Sequence, residues 1–318
     1  MIDAIRSDES NLYELVENFF GSTFSTDNAL ITEAVRRMLA AGGKRLRPRM
    51  TLLGASACGA KPADHLHIAA YMELIHVATL IHDDVVDNAQ TRRGVNATAV
   101  DFGNRVSVLA GDYLFAWIFK NVTANYPHPV PHILSATLAA ICDGEVLQLR
   151  ALGDLNTTLE QYVETARKKT ATLFAASAQC GAIVGGGTPE QVEALRAYGD
   201  AYGIAFQMAD DLLDLEADER KIGKPVGNDL TEHKMTVPLI LALARGNAAF
   251  RDEVARFYAG SGADGIPSIV AGIGAAGGLA ATRAEIDRFV AAAHDALKPL
   301  PASAAKDELH RLAGALAG

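Results

Sequence analysis

An all-α fold is predicted for this 318-residue chain by three observations. Proline is confined to a few places, apolar residues recur at helical spacing between them, and alanine dominates where strands would need β-branched runs. The proline-free stretches run from Ala63 to Tyr126, His132 to Thr188 and Glu190 to Lys224. Helix starts are expected at Thr157-Thr158-Leu159-Glu160, Thr188-Pro189-Glu190-Gln191 and Thr282-Arg283-Ala284-Glu285. Each is a threonine cap with Glu or Gln at the third helical position. No Asn-Gly or Asp-Gly pair joins two alternating runs, so no essential sheet is expected. With no linker rich in Pro, Ser or charge, residues 1–318 read as a single domain forming an antiparallel helical bundle.

Composition narrows the function classes. At 49% hydrophobic and 21% charged residues, the chain is neither disordered nor fibrous. A net charge of −9 argues against nucleic acid or an anionic membrane surface as partner, so any anionic substrate must be met by a local basic cluster. Three widely spaced cysteines, Cys58, Cys142 and Cys180, suit reduced thiols in a cytoplasmic protein better than a disulfide frame or a zinc site. The first ten residues carry acids and no apolar core of a signal peptide. The longest mostly apolar uncharged run, Ile269 to Ala281, has 13 residues, too few to span a bilayer, so no transmembrane segment is expected.

Two acidic motifs carry the chemistry. His82-Asp83-Asp84-Val85-Val86-Asp87 ends a long apolar helix, with Asp83 and Asp87 one above the other on one face. Three carboxylates at a helix C-terminus repel one another and the helix dipole, so they call for a cation. The pattern returns as Asp210-Asp211-Leu212-Leu213-Asp214, with Gln207 one turn earlier. Two such clusters, able to face across a bundle, suit a hard cation held through oxygen. Magnesium usually shares such carboxylates with the oxygens of a bound phosphate, so Mg2+ with a diphosphate is the predicted pairing. An EF-hand is excluded by the missing glycine and ligand alternation, and a di-iron bundle by the missing Glu-x-x-His pairs.

Cations for the diphosphate stand at several places. Gly42-Gly43-Lys44-Arg45-Leu46-Arg47-Pro48 sets Lys44 and Arg47 beside two glycines, a point charge and a bidentate fork suited to phosphate. Arg92 and Arg93 follow the first acidic motif after a short loop. Lys168, Lys169 and Thr170 interrupt an Ala-rich helix, and Lys224 and Lys234 follow the second motif around Gly223, Gly227 and Asp229. His76 lies seven residues before Asp83 on nearly the same face. The remaining histidines outside the motifs show no zinc-ligand spacing.

Taken in order, Gly42 to Pro48, Leu80 to Asp87, Arg92-Arg93-Gly94, Lys169-Thr170 and Phe206 to Asp214 resemble the trans-polyprenyl diphosphate synthase family. The resemblance runs from about Lys44 to Pro238. It implies an isoprenoid-synthase bundle around a large central cavity and an enzyme that extends an allylic diphosphate, farnesyl or geranylgeranyl, by head-to-tail trans additions of isopentenyl diphosphate. It implies that Asp83, Asp84, Asp87, Asp210, Asp211 and Asp214 hold magnesium. Arg92, Lys169, Gln207, Lys224 and Lys234 would grip the allylic diphosphate, with Thr170 as a further substrate contact. Lys44, Arg47, His76 and Arg93 would hold isopentenyl diphosphate. Ionisation moves negative charge onto the leaving diphosphate, where Mg2+, Arg92, Lys169 and Lys224 stabilise it. The released diphosphate takes the final proton, so no protein base is required.

Ala78 and Thr79, just upstream of the first motif, are small, which in this family opens the product tunnel and implies an octaprenyl-like product, as for a quinone side chain. Phe115, Trp117, Phe119 and Val122 are candidates for a deeper floor. The resemblance also implies a homodimer. The alternatives are a class I terpene cyclase, disfavoured by the second aspartate motif, and a noncatalytic subunit of a mixed assembly, disfavoured by the integrity of both motifs.

Overall fold

The computed structural model of the chain describes residues 18–24, 26–216, 227–260 and 265–317. Fourteen helices of defined bounds follow, with no sheet beyond a short ribbon among the described residues. In order they are α1 (Ala29–Ala40), α2 (Leu46–Ala57), α3 (Leu66–Val86), α4 (Thr98–Asn125), α5 (Val130–Ala151), α6 (Leu159–Ala166) and α7 (Thr172–Val184). After these come α8 (Pro189–Glu216), α9 (Asn228–Thr231), α10 (Val237–Arg245), α11 (Ala248–Gly260), α12 (Ile266–Ala275), α13 (Gly278–Ala296) and α14 (Ala304–Gly314). The all-α expectation holds. The helices gather into two compact units, one from the described residues of Met1–Ser135 and Ala176–Glu193, the other from those of Ala136–Ala175 and Ala194–Gly318.

In the first unit α3 is apolar on nearly every side, and Ile68, Met72, Leu74, Ile75 and Ile81 are fully shielded, as expected for a helix at the centre of its layer. Glycine lets its neighbours approach. A Cβ on Gly111 of α4 would fall 2.2 Å from the His82 ring, and one on Gly181 of α7 would fall 2.1 Å from the Thr51 carbonyl of α2. Between α3 and α4 the chain makes an antiparallel ribbon, β1 (Thr91–Arg92) on β2 (Val95–Asn96). Arg93 (φ 51°) and Gly94 (φ 81°) are both left-handed, the backbone a two-residue hairpin requires. An arginine in the first of these places carries no turn signal, which is why the ribbon was not expected.

In the second unit the tightest approaches again use small residues. A Cβ on Gly203 of α8 would fall 2.4 Å from Ala171, and one on Gly278 of α13 would fall 2.4 Å from the Pro238 carbonyl of α10. The Tyr198 hydroxyl, fully buried, donates to the Leu309 carbonyl at 2.7 Å and ties α8 to α14.

Helix starts fall close to expectation with two differences. Thr188 and Gln191 form the predicted reciprocal cap of α8. At α6 the cap is Thr158 with Gln161, one residue later than expected. Thr282 does not start a helix: α13 begins at Gly278 after left-handed Gly277, and the buried Thr282 hydroxyl donates to the Gly278 carbonyl. Of the cysteines only Cys180 is buried, with its thiol pushed up to about 12 by burial, while Cys142 is exposed. α5 is by length and composition able to cross a membrane, with 28% of its most apolar window buried, and α12 with α13 pass the same test only as one span bent by 65°.

Candidate active site

The first acidic motif closes α3. Along the helix His76, Thr79, Asp83 and Asp87 succeed one another at steps of three or four residues, so they form one stripe. They are half-buried or exposed on an otherwise shielded helix. Asp87 is the C-cap, its N–H bonded to the Asp83 carbonyl. Asp84 points the other way. Its side chain is fully buried, and Oδ1 accepts from Arg92 Nε at 2.7 Å and from the terminal NH2 of Arg92 at 2.5 Å. Its other oxygen, Oδ2, is buried without a hydrogen-bond partner among the described residues. Burial pushes the Asp84 carboxyl above the usual aspartate range despite the pull of Arg92.

The glycine loop lies in the same unit. Gly42 (φ 82°) and Gly43 (φ 143°) have backbones that a side chain resists, and Arg93 fills the space a side chain would take. Arg93 donates to the Gly42 carbonyl, and a Cβ on Gly43 would stand 2.6 Å from its guanidinium. Lys44 is exposed and Arg47 half-buried. Burial, then the positive field of Arg47, Arg93, Arg45 and Arg92, holds the His76 imidazole well below its usual pKa. Sequence had placed Arg47, Arg92, Arg93 and His76 in two substrate sets; the structure brings all four into one electrostatic neighbourhood.

Ala78 is fully shielded, whereas Thr79 is half-buried with its hydroxyl donating to the His76 carbonyl at 2.8 Å. Of the deeper candidates, Trp117 packs edge-on against Phe24 and Tyr71, Phe115 packs against His82, and Val122 is core.

In the second unit the other acidic motif lies near the end of α8. Asp210 is exposed and Asp214 half-buried, while Asp211 is buried, accepting from Gln207 Nε2 at 3.0 Å and from the Val237 N–H at 3.3 Å. Burial raises the Asp211 carboxyl to about 6 against those two donors. Gln207 in turn accepts from the Thr170 hydroxyl at 2.8 Å, so Thr170, Gln207 and Asp211 form a chain. Both motifs thus turn the middle aspartate inward to a partner and leave the outer two accessible.

Lys169 sits in a π-helical turn, Arg167–Ala171, between α6 and α7. Such a turn carries one residue more than an α-turn and often marks a functional position. Gly144 of α5 lies directly against it, where a Cβ would stand 2.4 Å from the Lys169 backbone nitrogen. The Lys169 ammonium donates to Gln148 Oε1 at 2.7 Å and pairs with Glu145. Lys234 pairs with Glu232 at 2.5 Å and stands 3.9 Å from Asp229. Lys224 lies outside the described residues.

Sequence reading does not single out Glu145, Gln148, Tyr162 or Glu73, and it gives Asp229 and Arg45, which stand inside quoted motifs, no role. Gly144-Glu145 with Gln148 one turn on was a visible signal, since a glycine in the middle of a helix needs a reason. The Asp229 carboxyl is raised to about 8 by burial and by Asp211 and Asp214, and its N–H donates to Asp214 Oδ2 at 3.2 Å. The Tyr162 phenol is pushed well above its usual value by burial, then by Asp211, Asp229 and Asp210.

The donors suit magnesium. Every candidate ligand is a carboxylate oxygen, the donor type magnesium takes, and among the described residues no three His, Cys, Asp or Glu side chains come together as a metal-binding group by themselves. Magnesium shared with phosphate oxygens is usually bound by a few open carboxylates and keeps waters.

The sequence pattern of the family described as polyprenyl synthetase matches residues 28–269. The octaprenyl diphosphate synthase of Escherichia coli K12 is 38% identical over 290 residues, 91% of this chain and 90% of that protein. A decaprenyl diphosphate synthase from Rhodobacter capsulatus superposes with TM-score 0.92 at 40% identity, covering 99% of this chain and 98% of the other. A polyprenyl synthase from Caulobacter crescentus CB15, complexed with calcium and isoprenyl diphosphate, superposes with TM-score 0.90 at 36% identity over 99% and 96% of the two chains.

Proposed function

Because the chain belongs to the polyprenyl synthetase family and is a trans-prenyltransferase making a polyprenyl diphosphate, we propose that it extends farnesyl or geranylgeranyl diphosphate with isopentenyl diphosphate to an octaprenyl-like product. The observation that carries the reading is the repeated aspartate motif at the ends of α3 and α8, with its outer carboxylates accessible in both copies.

Asp83 and Asp87, and likewise Asp210 and Asp214, would hold magnesium. Bound magnesium supplies positive charge toward the leaving diphosphate. Asp84 and Asp211, turned to Arg92 and to Gln207 with Val237, orient the motifs. Arg92, Lys169, Lys224 and Lys234 would take the charge that C–O cleavage puts on the allylic diphosphate, since cations already in place stabilise such charge as it develops. Thr170 and Gln207, hydrogen-bonded to each other, would be polar contacts to the same substrate. Lys44, Arg47, Arg93 and neutral His76 bind the diphosphate of isopentenyl diphosphate and hold its alkene in place before ionisation. Deprotonation of the new allylic unit is left to the released diphosphate.

Support for an octaprenyl-like length comes from the small Thr79, one turn before Asp83 on the same stripe, and from the Escherichia coli relative. A homodimer fits the exposed apolar Val146, Leu149 and Leu152 on and just after α5, and the free, partly exposed cysteines fit a reducing cytoplasm. Purified protein with Mg2+, farnesyl diphosphate and isopentenyl diphosphate should give a polyprenyl ladder by mass spectrometry that EDTA abolishes. A cyclised hydrocarbon, or no incorporation by folded protein, would overturn the reading.

A further inference from the structure

Lys44 stands in the loop after Gly42 and Gly43, whose backbone is intrinsically permissive, and Arg47 in the first turn of α2 that follows it. Arg45 lies between the two cations. It takes a left-handed backbone (φ 46°), which disfavours any residue with a side chain, and it begins α2 without a side-chain cap. Its guanidinium turns away from solvent and is 4% exposed. NH1 donates to Glu73 Oε1 at 2.7 Å and, more weakly, to the Gly42 carbonyl at 3.4 Å, while NH2 donates to the Leu39 carbonyl at 2.9 Å. Glu73, on α3 one turn before His76, is 2% exposed, and its Oε2 has no hydrogen-bond partner among the described residues.

A buried ion pair with an unsatisfied oxygen is an inefficient way to stabilise a fold, because apolar residues of similar volume often do as well or better. What the pair does that apolar residues would not is direct. It ties the end of α1, the Gly42 carbonyl and the middle of α3 through one rigid planar group. Arg93 holds the same Gly42 carbonyl from the ribbon. The loop is therefore pinned from both sides, with Lys44 left exposed between the pins.

We propose that Arg45 and Glu73 are a positioning pair for isopentenyl diphosphate: without touching substrate, they set where Lys44 and Arg47 stand relative to His76 and Arg93. The inference rests on the reading that these four residues bind that substrate. Removal of the pair weakens capture of isopentenyl diphosphate and leaves the allylic side of the reaction alone, because the guanidinium hydrogen bonds described above run to the end of α1, the loop after it and α3.

The test uses the full chain carrying Arg45→Met with Glu73→Leu, and separately Glu73→Gln, with steady-state kinetics in which each substrate is varied in turn and a thermal melt beside them. The expected result is a KM for isopentenyl diphosphate raised about tenfold or more, with kcat and the KM for farnesyl diphosphate within about twofold of wild type. The double variant should melt at or above the wild-type temperature. A wild-type KM for isopentenyl diphosphate in a folded double variant overturns the inference, as does an equal change in both KM values. If the double variant does not fold, Arg45→Lys, which keeps the charge and loses the fork, is held to the same two criteria. Failure of the underlying reading looks different, since Lys44→Ala and Arg47→Ala would then leave the KM for isopentenyl diphosphate at its wild-type value.

Discussion

Arg92 closes two of its three side-chain nitrogens, Nε and NH2, on a single oxygen of Asp84, at 2.7 and 2.5 Å, and so links the ribbon after α3 to the motif that ends it. The middle aspartate of the motif is thereby a partner of an arginine, whereas Asp83 and Asp87 stand on the more open side of α3.

The two kinds of aspartate should separate by experiment. Asp84→Ala removes the charge partner of a guanidinium that is only 26% exposed, and should cost about 3 kcal/mol of stability, the low end for breaking a buried pair. Asp87→Ala, at an exposed cap, should leave the denaturation midpoint nearly unchanged and lower kcat by about 10²-fold or more. Chemical denaturation and initial rates on both variants check this; equal loss of stability in the two would contradict it.

Gly144 offers a second contrast. Ala at this position sets a Cβ 2.4 Å from the Lys169 backbone nitrogen, so the π-helical turn must shift. Gly144→Ala should destabilise by about 1–3 kcal/mol and should lower kcat/KM for the allylic diphosphate about as much as Lys169→Ala does. Kinetics with the allylic substrate limiting, alongside a melt, measure both.

His76 gives a pH dependence with a definite sign. Its folded pKa is held well below the usual 6.5, so between those values the unfolded chain carries a proton that the folded chain does not. Stability therefore rises with pH across that window and is lost as pH falls through about 6.5. His76→Gln should flatten this part of the curve. Pyrophosphate, by countering the arginine field, should raise the His76 pKa and take up protons on binding, which calorimetry in buffers of different ionisation enthalpy reads directly.

Much of this site was legible in the sequence because it is local. Asp83 to Asp87 and Asp210 to Asp214 announce themselves by spacing, and their place at helix ends follows from the apolar period before them. The slip from Thr157 to Thr158 at α6 arises because two adjacent threonines face Glu160 and Gln161, so two capping registers are written one residue apart. Thr282 misled for another reason: a left-handed glycine at 277 starts the helix a turn earlier than any capping box. Glu73 could not be read at all. It stands 28 residues from Arg45, and only folding brings the two within a hydrogen bond.

Product length tests the stripe on α3 most directly. Ala78 and Thr79 are both small and both precede Asp83, yet they differ in environment. Ala78 is fully shielded, and a residue five positions from Asp83 lies well round the helix from the stripe. Thr79 lies one turn before Asp83, on the stripe, and is half-buried. Ala78→Phe forces an aromatic ring into packed core and should cost about 1–3 kcal/mol, with any change in product confounded by that loss. Thr79→Phe places the ring along the line from Asp83, about 6 Å down the helix at 1.5 Å per residue, where a growing chain anchored at the aspartates would meet it. The expected products of Thr79→Phe are shorter than wild type by several isoprene units at a similar melting temperature, read by mass spectrometry and a thermal melt on the same preparation. Unchanged product length from an active Thr79→Phe enzyme would place the growing chain on another face of α3.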